Sequence, residues 1–420
     1  MMYTVSVTET VRYTYRLRVN RTVENALLNE WHRVRFVWND CAAQFRDKKP
    51  ATNTALCSRL TETRHNNEWL AAGSAVAQQQ VIRDFTKTVS RFFAEIRKGK
   101  PGNRYGKPRF KSRRKTLPSI NYTRSGFTLR DGELSLAKGI SPRVVWSRQL
   151  PSDPSSVRIY QDAVGSWWAS FVVERETETR HRDRDGDIGF DFGIATTAIA
   201  TDPEFDLEFS SVTAKHARNL RRYQRRMARF KKDNDEKRYR AAKKDAARLH
   251  RKARRQRQER LREYSQKVAR NHSRVAVEDL RPGFMARNRS LAKKMHDAAI
   301  STLISEMESA CKAYGSEFSR INPAYTTMTC SSCGTRTKSR IPLNVRTFKC
   351  STCGFVCDRD RNAARNVALR AGLNPEPVTL SSNPSPSETD ATIVEVRISR
   401  LKTGRVVNSG SRKSLPARPR

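Results

Sequence analysis

The chain has 420 residues, enough for two or three domains, and 37% of them are hydrophobic, which is typical of a rather polar globular protein. Its 83 Lys and Arg residues outnumber its 42 Asp and Glu residues, which gives a net charge of +41. Such self-repulsion favours nucleic acid as the partner over a membrane surface, and no apolar run approaches the ~20 residues that span a bilayer. Since the N-terminus has no recognisable signal peptide, we expect a cytoplasmic, nucleoid-associated protein.

Apolar periodicity divides the N-terminal half of the chain into elements. Residues 3–19 alternate between apolar and polar side chains, which predicts a β-strand. Apolar residues then recur at helical spacing after Thr22, a candidate helix cap, and again from Trp69 to Arg97. The breaker Lys98-Gly99-Lys100-Pro101-Gly102 ends this stretch. We therefore predict a helical insertion over residues 21–104.

The period of the sequence changes to two between Leu117 and Glu176, which predicts antiparallel strands. Asp131-Gly132 is typical of a tight hairpin turn, and residues 162–165 give a second turn signal. We expect the first strand of the chain to join these strands. Residues 1–20 and 105–180 are therefore predicted to form a β-barrel, a wedge-like domain that carries the helical insertion.

The C-terminal half combines apolar strands with basic helices. Residues 187–201 predict a strand or a strand hairpin. Residues 215–270 predict a basic helical hairpin that turns at Asp233-Asn234-Asp235. After Gly372 the chain becomes rich in Pro and Ser and then basic, so residues 373–420 are predicted to be a disordered basic tail.

Two pairs of cysteines form the strongest motif of the chain. Two residues separate Cys330 from Cys333 and Cys350 from Cys353, a spacing typical of zinc knuckles. Four thiolates close a tetrahedral shell and leave no position for water, so we predict one structural Zn²⁺ in a zinc ribbon over residues 326–354. The remaining cysteines are scattered, which fits a reducing compartment better than a disulfide framework. They are Cys41, Cys57, Cys311 and Cys357.

Three acidic residues stand at the ends of apolar segments. Asp191 alternates with two phenylalanines, so its carboxylate is expected to face away from the apolar side of its strand. The glycines two residues before and after it would leave room for a charged ligand to approach the backbone. Glu278 ends an apolar strand on the face opposite its valines. Asp360 opens a helix with a small apolar face, where Asp358 is a candidate helix cap.

Carboxylates that converge at one end of a sheet repel each other unless cations neutralise them. Their hard oxygen atoms suit Mg²⁺ or Mn²⁺. Two such ions about 3.5–4 Å apart activate a water and stabilise the leaving oxygen in phosphodiester cleavage. Each acid alone could be a cap, a turn residue or a surface residue, but the three together with the basic charge predict a metal site.

The order of these motifs resembles that of a known family. This order is similar to that of the RuvC-type nuclease of the TnpB family. It consists of a strand with Asp191, a basic helical insertion, a strand with Glu278, a zinc ribbon and the Asp-Arg-Asp-x-Asn-Ala-Ala-x-Asn helix of residues 358–366. Two further segments also resemble segments of the family, so that the likeness covers nearly the whole chain. They are Tyr105-Gly106-Lys107-Pro108-Arg109-Phe110 and Asn322-Pro323-Ala324-Tyr325-Thr326-Thr327. TnpB proteins are encoded by prokaryotic insertion sequences and resemble compact type V CRISPR effectors.

The resemblance implies a fold and an activity. The fold would be α/β plus β-barrel, in which an RNase H-like (RuvC) nuclease domain over residues 181–325 and 355–372 carries the zinc ribbon and the barrel carries a helical recognition bundle. The activity would be RNA-guided, Mg²⁺-dependent cleavage of DNA beside a short motif, with guide RNA and double-stranded target DNA as partners. Asp191, Glu278 and Asp360 would be the catalytic acids and would hold two Mg²⁺ (or Mn²⁺) ions.

Basic residues with interleaved aromatic residues are the expected nucleic-acid contacts. Residues 98–115 suit a strap that binds phosphates and stacks bases. The helical hairpin carries a run of arginines that could also bind phosphates, although the run could instead be an ordinary solvated helix face. If about six phosphates are neutralised, affinity should fall ~10³-fold or more between about 50 and 200 mM salt. By likeness to the family, Gln79 would face the adjacent DNA motif. The predicted contacts are Gln79, Lys98, Lys100, Arg104, Tyr105, Lys107, Arg109, Lys111, Arg221, Arg222, Arg225, Arg226 and Arg229.

Two other functions stay open on the sequence alone. A DNA transposase would transfer strands without RNA, although transposases with RNase H folds usually present their acids in the order Asp, Asp, Glu instead of Asp, Glu, Asp. A guided repressor would bind DNA without cutting it, although the three intact acids argue against this. The flanking genes would distinguish a transposon protein from a CRISPR-associated effector.

Overall fold

The computed structural model of the protein describes residues 7–99, 105–193, 196–210, 212–280, 298–339, 341–342 and 345–375. Two of the predicted nucleic-acid contacts, Lys100 and Arg104, lie outside these ranges, and so does the predicted tail after residue 375. Within the described ranges, every helix is too short or too polar to cross a membrane.

Antiparallel strands organise the N-terminal half. They are β1 (Val7–Arg18), β2 (Ser119–Thr123), β3 (Phe127–Arg130), β4 (Glu133–Leu136), β5 (Arg143–Val145), β6 (Ser156–Gln161) and β7 (Trp167–Thr177). Five of them form one sheet in the order β2-β6-β7-β1-β5, so the first strand joins the later ones as expected. β3 and β4 form the predicted hairpin, whose turn residues Asp131 and Gly132 have φ of 50° and 77°.

The sheet and the hairpin share one hydrophobic core. Tyr15, Trp167 and Phe171 from the sheet pack with Leu134 and Leu136 from the hairpin. The pairing of the described strands connects them as an open sheet and a separate hairpin. Closure into a barrel therefore stays a prediction.

The helical insertion contains α1 (Arg21–Arg46), α2 (Asn53–His65), α3 (Glu68–Ala71) and α4 (Ala75–Arg97). The cap of α1 is Asn20, whose side chain accepts a hydrogen bond from the backbone N–H of Val23, so the prediction of Thr22 as the cap is wrong. α1 connects two cores, because Trp31 packs under the sheet whereas Val37 packs with Phe85 of α4.

The C-terminal half is built on a mixed sheet. Its strands are β8 (Gly186–Phe192), β9 (Thr196–Ala200), β10 (Leu207–Glu208), β11 (His272–Glu278) and β12 (Glu317–Ile321), in the order β10-β9-β8-β11-β12. β8, β11 and β12 run parallel, whereas β9 is antiparallel to both of its neighbours. A smaller hairpin pairs β13 (Thr347–Lys349) with β14 (Val356–Asp358).

The helices of this half are α5 (Val212–Lys232), α6 (Glu236–Asn271), α7 (Ile300–Tyr314) and α8 (Arg359–Arg370). α5 and α6 form the predicted helical hairpin and break at Asp233-Asn234-Asp235. α6 and α7 cover one face of the mixed sheet, where Phe190 and Val277 pack with Leu303.

α8 covers the opposite face of the mixed sheet, and glycine makes this contact possible. A Cβ atom on Gly189 would lie 2.5 Å from the carbonyl oxygen of Ala364 in α8. A Cβ atom on Gly193 would lie 2.8 Å from the carbonyl oxygen of Thr196. Both glycines therefore make room for the protein's own backbone, and the prediction that they admit a charged ligand is wrong.

Candidate active site and metal centres

The three predicted acids lie on the α8 face of the mixed sheet. β8 and β11 pair in parallel with Val277 opposite Phe190, so Asp191 and Glu278 follow at the next position in register. Their carboxyl groups hydrogen-bond to each other. Asp360 stands in the first turn of α8, close enough for its charge to act on both carboxyl groups. The fold thus brings together acids from three distant parts of the chain.

Burial and repulsion oppose ionisation of the Asp191–Glu278 pair. Burial, and then the neighbouring Glu278 and Asp360 carboxylates, raise the pKa of Asp191 well above its usual range. Burial also raises the pKa of Glu278, which is 4% exposed, although hydrogen bonds from Thr326 and Asp191 favour its charged form. Two carboxyl groups in contact share a proton unless a cation takes its place. The donor set therefore fits a hard divalent cation.

Glu278 is oriented by a residue that sequence reasoning missed. The hydroxyl group of Thr326 donates to Glu278 Oε1 at 2.8 Å, and both side chains are buried. The carbonyl oxygen of Thr326 accepts a hydrogen bond from Asn366 Nδ2 of α8 at 2.8 Å. The available signal was Asn366, a polar residue on the apolar face of its helix. Its burial shows that α8 also fixes the chain beside Glu278.

Two guanidinium groups engage Asp360. Arg359 Nη2 donates to Asp360 Oδ1 at 2.9 Å, and Arg346 Nη1 donates to Oδ2 at 2.7 Å, so both carboxylate oxygens are paired. Within the described part of the chain, only the four cysteines bring three or more potential metal ligands within 4.8 Å of one another. A cation shared by all three acids would therefore have to compete with these arginines for Asp360.

Capping and an ion pair hold α8 in place. Asp358 Oδ1 accepts hydrogen bonds from the backbone N–H groups of Asp360 and Arg361, both at 2.9 Å, so Asp358 is a helix cap. The guanidinium group of Arg361 also forms a bidentate pair with Asp206, at 2.8 and 2.7 Å. This pair joins the start of α8 to the loop before β10.

The four predicted zinc ligands converge. Cys330 Sγ lies 3.7 Å from Cys353 Sγ, and Cys333 Sγ lies 3.6 Å from Cys350 Sγ. A tetrahedron of thiolates with Zn–S bonds of about 2.3 Å has edges of about 3.8 Å. The cluster is therefore already spaced for a structural zinc.

Glycines close the two knuckles, and Cys357 is not part of the four-cysteine cluster. Gly334 and Gly354 have φ of 75° and 73°, which closes each knuckle in a conformation that side chains disfavour. Hydrogen bonds from Thr335 lower the pKa of Cys333 to about 6, which favours the thiolate that a metal needs. Cys357 stays outside the cluster, and burial raises its pKa to about 11.

Most of the predicted nucleic-acid contacts within the described ranges are on the surface. Gln79 is exposed, whereas Gln78 is buried and bonded to Arg64. Tyr105 is partly buried, with the Arg91 guanidinium 5.3 Å from its ring centroid. The exposed basic residues are Lys98, Lys107, Arg109, Arg221, Arg222, Arg225, Arg226 and Arg229.

Lys111 differs from the other predicted contacts. Its ammonium group lies 3.5 Å from the ring centroid of Trp38, and burial lowers its pKa to about 8. Its backbone N–H donates to Asn39 Oδ1 at 2.7 Å. These contacts fasten Lys111 to α1, and a phosphate contact of its half-buried side chain stays a prediction.

A cleft of about 870 Å³ lies between the N-terminal sheet and the helical hairpin. Trp168 lines one side, and Arg251 and Arg255 of α6 line the other. Asp162 Oδ2 accepts hydrogen bonds from Trp168 Nε1 and Arg251 Nη1, both at 2.9 Å. The Arg255 guanidinium lies 5.8 Å from the Trp168 ring centroid. No motif predicted this cleft, because its walls come from distant segments.

The fold and its centres define a mixed α/β protein with an acidic site, a four-cysteine site and a strongly basic surface. A family model described as "Probable transposase" matches residues 170–289, and a model described as "Cas12f1-like, TNB domain" matches residues 301–367. The "Putative RNA-guided DNA endonuclease" of Streptomyces pristinaespiralis is 33% identical over 357 residues, which are 81% of this chain and 84% of that protein. The chain belongs to the TnpB family, which confirms the resemblance of its motifs.

Further relatives extend the comparison. The "Putative RNA-guided DNA endonuclease InsQ" of Escherichia coli (strain K12) is 27% identical over 365 residues, covering 80% of this chain and 86% of that protein. The "CRISPR-associated DNA-binding protein Cas12m" of Thermanaerosceptrum fracticalcis is 39% identical over 70 residues, or 17% of this chain and 12% of that protein.

Proposed function

We propose that this protein is an RNA-guided DNA endonuclease with a single RuvC-like site on an RNase H-like fold. The observation that supports this most is the Asp191–Glu278 pair, in which Glu278 is buried and Asp191 is partly buried. The pair is costly to ionise without a cation and lies beside Asp360. Asp191, Glu278 and Asp360 would hold two Mg²⁺ (or Mn²⁺) ions. The chemistry that such ions supply is activation of water and stabilisation of the leaving 3′ oxygen.

The surrounding residues prepare this site. Thr326 fixes the rotamer of Glu278 and favours its ionised form, which is the form that binds a cation. Arg359 and Arg346 neutralise Asp360 while no cation is bound. Arg346 is the more exposed of the two, with 53% of its side chain accessible against 8% for Arg359. We expect Arg346 to release Asp360 when the Asp360 carboxylate binds a cation.

Guide RNA and target DNA would occupy the basic surface. The net charge of +41 calls for a polyanion, and the exposed arginines of α5 offer it phosphate contacts. The cleft beside Trp168 is a candidate place for unpaired nucleotides, because an aromatic ring there adjoins several cations. Base pairing would read the target, while the helical insertion and the sheet would read the adjacent motif.

The test is to purify the protein with its native locus, sequence the bound RNA, and assay Mg²⁺-dependent cleavage of a matching DNA. Asp191→Asn should abolish cleavage while keeping RNA bound, because it removes a metal ligand and no basic residue. Asp185→Asn is the matched control, since it neutralises a carboxylate with 73% exposure on the same segment. A discrete RNA with cleavage that survives Asp191→Asn would contradict the proposed site. Only heterogeneous RNA that salt removes would contradict RNA guidance.

A second candidate function is guided DNA binding without cleavage. The observation that favours it is that both oxygens of Asp360 are paired with arginines. Such a protein would protect its target in a footprinting assay and leave it uncut at every Mg²⁺ concentration. The cleavage assay above separates the two functions directly.

A further inference from the structure

Tyr325 is held in an unfavourable backbone conformation beside the acidic site. Its φ of 64° lies in the left-handed region, which is unfavourable for a bulky side chain. The next residue, Thr326, donates to Glu278. Strain of this kind is retained where surrounding contacts impose it, and it is frequent at functional sites.

Hydrogen bonds around Tyr325 impose this conformation. Its carbonyl oxygen accepts from the backbone N–H groups of Met328 and Thr329, both at 3.1 Å, and from Thr329 Oγ1 at 3.0 Å. Arg370 Nη1 donates to the carbonyl oxygen of Ala324 at 2.6 Å. The segment is therefore tied to α8 on one side and to the start of the zinc ribbon on the other.

This geometry directs the Tyr325 ring outward. The residue is 50% exposed, although nothing about the strained backbone would require an aromatic residue there. Asn or Gly would adopt the same φ at lower cost. The guanidinium carbon of Arg336 lies 3.2 Å from the ring centroid, so a cation covers one face of the ring in a residue that is half exposed.

The zinc ribbon holds Arg336 over the ring. Arg336 pairs with Thr329 in an isolated β-bridge, and Cys330 N–H donates to the carbonyl oxygen of Thr335 at 2.9 Å. The knuckle of Cys330 and Cys333 thus fixes the position of the guanidinium group over the Tyr325 ring. An exposed ring with a cation on its far face is the arrangement that stacks an unpaired nucleobase.

We propose that Tyr325 and Arg336 form a stacking platform for an unpaired base of the DNA strand that enters the acidic site. The platform deepens the proposed function and rests on it for the identity of the strand. A base stacked on Tyr325 would hold the phosphate of the same strand near the acidic site, because the next residue, Thr326, contacts Glu278. The cation adds a phosphate contact without reading sequence, so the platform would accept any of the four bases.

The test is a double-mutant cycle between the platform and the substrate. The RNA-loaded protein cuts target DNA in single turnover, with either an intact strand or an abasic site placed in turn at each position near the cut. Tyr325→Asn removes the ring but suits the left-handed backbone, so it separates stacking from strain. We expect it to slow cutting about five- to 150-fold, which corresponds to ~1–3 kcal/mol of stacking. Tyr325→Phe should rescue the rate.

The effect of the abasic site in the wild-type protein and in Tyr325→Asn decides whether a base stacks on Tyr325. At one position, the abasic site should slow the wild-type protein and add nothing to Tyr325→Asn. If the abasic site costs the same in both proteins at every position, the platform is refuted. If Tyr325→Asn also removes the Mg²⁺-induced rise in melting temperature, Tyr325 acts through Glu278 as a positioning residue, and the platform is again refuted.

A second readout keeps the platform testable if the wild-type protein does not cut, which would refute the proposed function itself. A 2-aminopurine base in single-stranded DNA loses fluorescence when it stacks on an aromatic ring. Without added Mg²⁺, the wild-type protein should quench this probe more than Tyr325→Asn does. Equal quenching by the two proteins would overturn the platform. Quenching that appears only with an RNA probe would assign the ring to the guide and overturn the proposal for DNA.

Discussion

The hydrogen bond from Thr326 to Glu278 gives the sharpest test of the acidic site. Thr326→Val keeps the shape of a side chain that is 2% exposed and removes only its hydroxyl group. The substitution removes a hydrogen bond of 2.8 Å to a buried carboxylate. Hydrogen bonds to charged groups contribute ~1.5–3 kcal/mol to stability. If that energy favours the ionised form that binds a cation, Mg²⁺ affinity should fall about 10- to 100-fold.

The pH dependence of this variant follows from the sign of the shift. The Thr326 hydroxyl group lowers the pKa of Glu278, so its removal raises that pKa further. The variant therefore needs a higher pH to ionise Glu278, and its deficit should be largest in acid and shrink as the pH rises. The assay is single-turnover cleavage against Mg²⁺ concentration at several pH values.

Thr326→Ser is the matched control, because it keeps the donor and loses one methyl group. It should bind Mg²⁺ nearly as the wild-type protein does. The proposed role of the Thr326 hydroxyl group is refuted if Thr326→Val shows the wild-type Mg²⁺ dependence at every pH. It is also refuted if Thr326→Ser is impaired as much as Thr326→Val, since packing would then explain both.

Three further predictions concern the fold around the two centres. Without metal, Asp191→Asn should be more stable than the wild-type protein at neutral pH. A carboxyl group whose pKa is raised in the folded state stabilises that state fully below its unfolded pKa of about 3.9, and this benefit is lost progressively as the pH rises through the folded pKa. Thermal melting should show this difference growing with pH, and Mg²⁺ should stabilise only the wild-type protein. Gly189→Ala should destabilise the protein by about 1–3 kcal/mol in urea unfolding, because the new methyl group would meet the backbone of α8, whereas Gly106→Ala has nothing within 4 Å and should be neutral. Native mass spectrometry should find one zinc per chain in the wild-type protein and in Cys357→Ser, but none in Cys333→Ser; zinc retained by Cys333→Ser would exclude the four-thiolate site.

The elements that carry the acids were predictable because each has a strong local pattern. Alternation around Asp191 predicted β8 and the direction of its carboxylate. The cap at Asp358 and the small apolar residues after it predicted α8, and the cysteine spacing predicted the four-thiolate cluster. By contrast, α2 was missed because it buries only Leu56 and Leu60 and so has little periodicity.

The partners of these residues could not be predicted, because they depend on distances through space. Arg346 reaches Asp360 only after the ribbon folds back on α8. Lys111 is one of several basic residues in its segment, and nothing local distinguishes it as the one that covers Trp38. The glycine at 189 was recognised as a place of close approach, but its neighbour proved to be α8 instead of a ligand.

The chain order of the acidic site has a consequence for synthesis. β8 and β11 leave the ribosome well before α8, and domains generally fold as the chain emerges. Until α8 docks on Gly189, Asp360 is absent and the carbonyl oxygen of Thr326 lacks its partner Asn366. A nascent or prematurely terminated chain would therefore hold Asp191 and Glu278 without the third acid. The order of the acids in the gene thus delays assembly of the complete site until nearly all of the described chain has been made.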